Sequence, residues 1–233
     1  MNDLASAHLD RPIWAALTSR QAAFCLGDDR LARRYQADVA PFAALAREAP
    51  DAYRALQRQL GPRDQVALLS DAALTPIASL EAEQVGVIHQ MIAVHDPTSQ
   101  CDTTDVIRLG GADVNEMLDL AQRTKPGPFV QRTHELGRYI GIRDQGRLVA
   151  MAGERMHFED HVEISAVCVD PAWRGRGLAA KLVRGLTHDI RQRGETPFLH
   201  VLCQNQTAIN VYEQLGFRLR RTFVFSLIRH ATQ

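Results

Sequence analysis

The six residues Arg174-Gly175-Arg176-Gly177-Leu178-Ala179 have the types and spacing to bind an anion. They follow a β-rich apolar run that ends at Val169 and a turn at Asp170-Pro171, and they open an amphipathic segment. Glycines at a helix start leave backbone N–H groups unobstructed, and the helix dipole adds partial positive charge there. Such a cradle most often takes phosphate, and Arg174 and Arg176 strengthen it. A nucleoside-triphosphate loop needs Gly-Lys-Ser/Thr, whereas Gly177 runs into Leu178-Ala179, so that reading fails. The dinucleotide fingerprint fits in spacing as Gly175-x-Gly177-x-x-Ala180. Its first glycine belongs at a strand's end, however, and here Asp170 to Arg174 intervene. The next strand, Pro197 to Cys203, runs into Gln204 instead of an acid, and too little chain follows to finish a doubly wound sheet. A third pattern, Arg/Gln-x-x-Gly-x-Gly/Ala, is matched throughout.

Two other groups of reactive side chains are less committed. His157 and His161 flank Glu159 and Asp160, which has the composition of a metal site. Between two strands such a cluster reads as a solvated loop without fixed ligand geometry, its acids free to orient an amine, and no metal is expected. Cys25, Cys101, Cys168 and Cys203 lie far apart with no Cys-x-x-Cys pair, and read as reduced core residues. The sequence has 27 basic and 27 acidic residues, so no global field favours nucleic acid or an anionic membrane. With 45% hydrophobic and 23% charged residues it suits one large domain or two small ones. Its first residues lack the basic start and apolar core of a signal peptide, and no apolar run could span a bilayer, so a cytoplasmic protein is expected.

The elements that must position the cradle follow from periodicity and punctuation. Residues 1–99 carry no catalytic motif. They hold a short proline-led helix at Pro12 to Leu17, a stretch of mixed periodicity from Asp28 to Leu45, and a helix from Asp51 to Leu60. Strands are expected at Gln65 to Leu69 and Gln84 to Ile92, and Trp14, Tyr35 and Phe42 as core aromatics, the alternative for them being a partner surface. His95 to Ser99 marks a boundary. Beyond it the pattern predicts a strand at Asp105 to Leu109, a helix at Ala112 to Arg123 and a Lys125-Pro126-Gly127-Pro128 loop reaching to Glu135, where variable binding residues would sit. A hairpin is expected around Asp144-Gln145-Gly146, from Arg138 to Arg143 and Arg147 to Met156. Leu178, Leu182, Leu186 and Ile190 give the helix after the cradle one buried face, and Gly194 ends it. A strand at Phe198 to Cys203, a helix around Ala208 to Leu215 and a last strand from Phe217 to Ile228 complete a mixed α/β layer.

The third cradle pattern resembles the coenzyme A pyrophosphate loop of the GNAT superfamily of acyl-CoA-dependent N-acyltransferases. Asn205, Ala208 and Tyr212 match that family's Asn-x-x-Ala-x-x-x-Tyr, followed by Leu215-Gly216-Phe217, and the preceding strand with Val-Asp-Pro at its end matches too. The resemblance covers roughly residues 100–233. It implies a mostly antiparallel central sheet flanked by helices as an N-acetyltransferase domain. The smaller α/β region at residues 1–99, packed on it, is like the N-terminal half of the two-part, glycine-N-acyltransferase-like branch. It also implies acetyl-CoA as cosubstrate, held by Arg174 to Ala179, by the backbone of Val167, Cys168 and Val169, and by Asn205 and Ala208. Tyr212 would be the general acid for the leaving thiolate, or only a ring packed on the cofactor, and Asn205 would orient the pantetheine amide or cap its helix. Glu163 stands where several family members place a catalytic glutamate. A half-buried glutamate with a raised pKa would suit a base, an exposed strand charge would not, and Glu135 is a second candidate. Cys168 need not be a nucleophile. The expected activity is acetyl transfer to a primary amine by direct attack in a ternary complex, against a rival of the same fold that binds acyl-CoA without turnover. The implied partner is an amine acceptor, small or on a peptide or protein, with a homodimer left open.

Overall fold

The computed structural model describes residues 7–27, 29–94 and 104–232. Its first half contributes α1 (Pro12–Leu17), the short strands β1 (Ala32–Arg34) and β2 (Ala43–Leu45), α2 (Pro50–Gln59), β3 (Gln65–Ser70) and β4 (Leu80–Ala93). The second half contributes β5 (Val106–Leu109), α3 (Val114–Thr124), β6 (Tyr139–Asp144), β7 (Arg147–Phe158), β8 (His161–Val169) and α4 (Leu178–Gln192). It ends with β9 (Thr196–Leu202), α5 (Gln206–Gln214) and β10 (Phe217–His230). No described helix is long and apolar enough to cross a membrane.

Eight strands form one sheet in the order β3-β10-β4-β9-β8-β7-β6-β5. Every neighbouring pair is antiparallel except β8 with β9. The expected boundary at His95 to Ser99 lies outside the described residues. The sheet, however, continues across it. β4 pairs with β10 from Leu80 to Ala93 on one side and with β9 on the other, so the first half does not pack on a finished sheet. It supplies a strand to the middle of one.

The hydrophobic periodicity accounts for the layers. Leu182, Val183, Leu186 and Ile190 of α4 are fully buried against Val162, Ile164 and Leu199 on one face of the sheet. Each such side chain contributes about 1.5–3 kcal/mol by leaving water. The residues around Tyr35, Val39 and Phe42 cover Met156, Phe158 and Phe198. Tyr35 and Phe42 are core, as expected. Trp14 is half-buried, with Arg11 and Arg33 stacked on its ring. The hairpin turn at Gln145-Gly146 takes left-handed backbone at both positions, φ 47° and 83°, the geometry that matches strand twist. His157 and His161 do not face a solvated loop. They close β7 and start β8 around a two-residue turn, His157 pairs with Glu195 at 2.6 Å, and His161 is buried 2.8 Å from Asp160.

Candidate active site

The cradle rests on an anchored turn. Asp170 accepts from the Ala172 amide at 3.1 Å and is gripped by Arg123 and Arg147. Trp173 donates from Nε1 to Asp144 at 2.8 Å, with the Arg147 guanidinium over its ring. From there Gly175 and Gly177 adopt left-handed backbone, φ 77° and 74°. A side chain at either position would meet no atom within 4 Å, so conformation and not crowding calls for glycine. Gly177 caps α4, and Lys181 makes the first amide bond back to it, at 3.0 Å. The amides of Gly175 to Ala180 have no backbone acceptor among the described residues. These free donors, the dipole of α4, and the exposed Arg174 and Arg176 together suit a phosphate.

A cleft begins where β8 and β9 part. They pair from His161↔Thr196 to Ile164↔Leu199 and no further. At Ala166, φ 52°, two residues of β8 oppose one of β7, and this bulge bends β8 away from β9. For a non-glycine residue that backbone costs roughly 1–2 kcal/mol. The edge from Ser165 to Val169 is left without a partner strand on the β9 side. The cavity that opens there measures about 270 Å³. Val167, Asn205, Ala208 and Tyr212 line it from the elements near the cradle, and Phe42, Leu69, Ile88 and Phe225 from the first half and the last strand.

The structure thus gathers Val167, Asn205, Ala208 and Tyr212 at one cavity, with the cradle following directly on β8. Asn205 caps α5, its side chain accepting from the Ala208 amide at 3.2 Å. Leu178 and Ala179 form the half-buried first turn of α4. Burial pushes the Tyr212 phenol up to about 12. Cys168 packs among Met117, Leu120 and Met151 on the α3 side, and burial pushes its thiol up to about 11, which removes the thiolate a nucleophile would need.

Glu163 differs from both expectations. It is neither half-buried with a raised pKa nor an exposed strand charge: it is 0% exposed. Arg155 donates to both of its oxygens, at 2.8 and 2.6 Å, and His200 Nδ1 lies 2.7 Å away. Burial alone would raise this carboxyl. The Arg155 charge, the Arg155 hydrogen bonds and His200 outweigh it and hold the group at about 2. A carboxylate so committed is a poor base. Glu135 is exposed and paired with Arg132 at 2.8 Å, and does not line the cavity. The segment expected to carry binding residues, Phe129 to Glu135, instead ties the sheet to the first half of the chain. Arg132 bonds Gln36 and Asp38, Thr133 donates to the Val39 carbonyl at 2.8 Å, and Phe129 packs edge-on to Tyr139. Lys125 to Pro128, the start of that same expected loop, do line the cavity.

Arg155 and His200 are functional candidates that no motif announced, and both line the cavity. The available signal was an arginine inside an apolar strand run with a glutamate in the next strand. A bulge sets Arg155 and Met156 of β7 opposite Glu163. The His200 tautomer follows from its neighbours. Arg220 donates to Gln90 Oε1 at 3.0 Å, so Gln90 Nε2 faces the Leu9 carbonyl at 2.8 Å and His200 Nε2 at 3.4 Å. His200 therefore carries its proton on Nδ1, toward Glu163, and its lone pair on Nε2.

Comparison with known proteins meets this geometry. A family model described as FR47-like protein matches residues 139–226, from β6 into β10. A solved structure from Novosphingobium aromaticivorans, assigned to the GNAT family of acetyltransferases, is 37% identical, with a TM-score of 0.91 over 97% of this chain and 100% of that one. The chain belongs to the GNAT family. A second GNAT structure, a GCN5-related N-acetyltransferase from Kribbella flavida, shares the fold at 17% identity, with a TM-score of 0.59 over 96% of this chain and 93% of that one. Among curated relatives, N-alpha-acetyltransferase RimI of Mycobacterium tuberculosis is 36% identical over 93 residues, 36% of this chain and 56% of that protein. Mycothiol acetyltransferase of Mycobacterium sp. (strain JLS) is 36% identical over 105 residues, 42% of this chain. The chain spans about half the length of the first and, at 34%, a third of the second.

Proposed function

We propose that this chain is an acyl-CoA-dependent N-acetyltransferase that moves an acetyl group from acetyl-CoA to a primary amine by direct attack in a ternary complex. The observation that carries this is the continuity of three features along β8 and α4: free amides at the cradle, an unpaired strand edge, and a cavity lined by a protonated phenol. The diphosphate of coenzyme A fits the amides of Gly175 to Ala179 between Arg174 and Arg176. The pantetheine amides find backbone partners along Val167, Cys168 and Val169, and Asn205 and Ala208 border the arm. The thioester then reaches Tyr212.

In the reaction the amine nitrogen bonds to the carbonyl carbon and the carbon–sulfur bond breaks. A thiol near 8.5 leaves beside a phenol held at about 12, so full proton transfer is uphill by roughly 5 kcal/mol, and Tyr212 acts first as a hydrogen-bond donor to the departing sulfur. The amine must also lose a proton. Lys125, Arg155, His200 and Tyr212 are the titratable side chains that line the cavity, and the Nε2 lone pair of His200 already accepts from Gln90 at 3.4 Å. No described side chain lining the cavity therefore offers a free base, and water entering the cavity takes the proton, while Glu163 holds the His200 ring through Nδ1.

Release of free thiol from acetyl-CoA with an amine panel, run beside titrations with CoA and NAD, tests this reading. Thiol release and CoA binding are expected. CoA binding without turnover would favour an acyl-CoA-binding module, and NAD binding would overturn the cradle assignment itself.

A further inference from the structure

Resting on the acetyl-transfer reading, we infer that the acceptor is a small primary amine carrying both an apolar group and a carboxylate, the chemistry of an apolar amino acid. Away from the cradle the cavity is walled by Phe42, Leu69, Ile88 and Phe225. Phe42 is held rigidly there. Its carbonyl accepts from the Tyr35 amide at 2.9 Å, it bridges to Ala67, and the Arg155 guanidinium stacks on its ring at 4.7 Å. The first half of the chain thus contributes side chains to the acceptor space. An apolar wall of this kind binds an apolar side chain and offers a polar one no partner.

Charge narrows the choice. Among the described residues lining the cavity there is no aspartate or glutamate. Arg155 is neutralised by Glu163 beneath it. Lys125 at the rim is exposed, and among the described residues nothing pairs with it. Its backbone is fixed in the left-handed cap of α3, φ 50°, with its amide bonded to the Ala121 carbonyl at 2.7 Å. An acceptor rich in ammonium groups would meet one uncompensated cation and no anion. A carboxylate would meet Lys125, so attraction and repulsion select in the same direction.

The test compares L-phenylalanine, L-leucine, their amides, phenylethylamine and spermidine, by thiol release from acetyl-CoA and by calorimetry on the full-length protein saturated with CoA. The free acids are expected to exceed the amides by about tenfold in kcat/KM, with spermidine last. Lys125→Glu should raise KM about tenfold for the acids and leave that of the amides equal or lower, because it replaces repulsion of their ammonium by attraction. Three results overturn the inference: spermidine preferred, Lys125→Glu affecting acids and amides alike, or octanoyl-CoA preferred to acetyl-CoA, which would assign the wall to the acyl chain. The calorimetric arm separates the two readings. Lys125-dependent binding of L-phenylalanine without turnover keeps this cavity as a site for an apolar amino acid and removes the transferase reading with its acceptor, and absence of both binding and turnover removes this inference.

Discussion

At the start of α4 the negative charge of a ligand is to be met by backbone amides and two exposed arginines. One strand earlier the negative charge of Glu163 is already met by Arg155 and His200, sealed from solvent. The first arrangement is open and made of local backbone: left-handed glycines, a helix start, no side-chain crowding. Its donors stay unpaired until a ligand arrives, at little cost because water reaches them. The second is closed and made of side chains from three strands. Its ions have given up their hydration, so each depends on the others. One region is built to exchange partners and the other to keep them. That contrast explains why Glu163, though in the strand that leads to the cradle, does not act on the substrate.

Removing one member of the closed cluster should have the largest effect. Glu163→Ala leaves Arg155 buried without its partner, and urea unfolding should show a loss of about 3–5 kcal/mol. Glu163→Leu combined with Arg155→Met should recover most of it; no recovery would mean that the pair is not what the stability depends on. Acid reports on the same cluster. Because the folded carboxyl is depressed to about 2 from 4.5, its contribution, on the order of 3 kcal/mol, is fully present above pH 4.5 and lost as pH falls toward 2. Stability of Glu163→Ala should be flatter than wild type across that window. The cavity between the two regions comes next. Tyr212→Phe should lower kcat about a hundredfold and leave the CoA Kd unchanged; equal rates would remove the phenol from the mechanism. His200→Gln keeps a donor for Glu163 but loses the ring's packing, and should cost about 1 kcal/mol in urea unfolding with kcat within a few-fold of wild type; a thirtyfold loss would give the ring a direct part in the reaction. The open region should respond least in stability. Gly177→Ala, at φ 74°, should cost about 1 kcal/mol and weaken CoA several-fold, with kcat at saturation nearly unchanged.

Much of the fold was legible because its signals are short. The four-residue repeat of Leu178, Leu182, Leu186 and Ile190 gave α4 its buried face, and Gln145-Gly146 gave the β6–β7 turn. Asn205, Ala208 and Tyr212 share α5 and reach one cavity because helical spacing ties them together. What escaped notice depends on pairing between distant segments. Nothing in the alternation of β4 says that it enters the middle of the sheet between β10 and β9. Phe129 to Glu135 has the composition of a binding loop, and its engagement with Gln36, Asp38 and Val39 turns it into a brace.

By itself the sequence determined the backbone features of this protein: where chain direction changes, where amides are left free, and which helix face is apolar. Each of these depends on a few consecutive residues and their allowed φ and ψ. Only the tertiary structure decided the state of its charges. Glu163, Arg155 and His200 are acid, base or inert according to what covers them. The cover comes from β7, β9 and the segment around Phe42, whose joint placement fixes both the desolvation and the partners that set each proton's position.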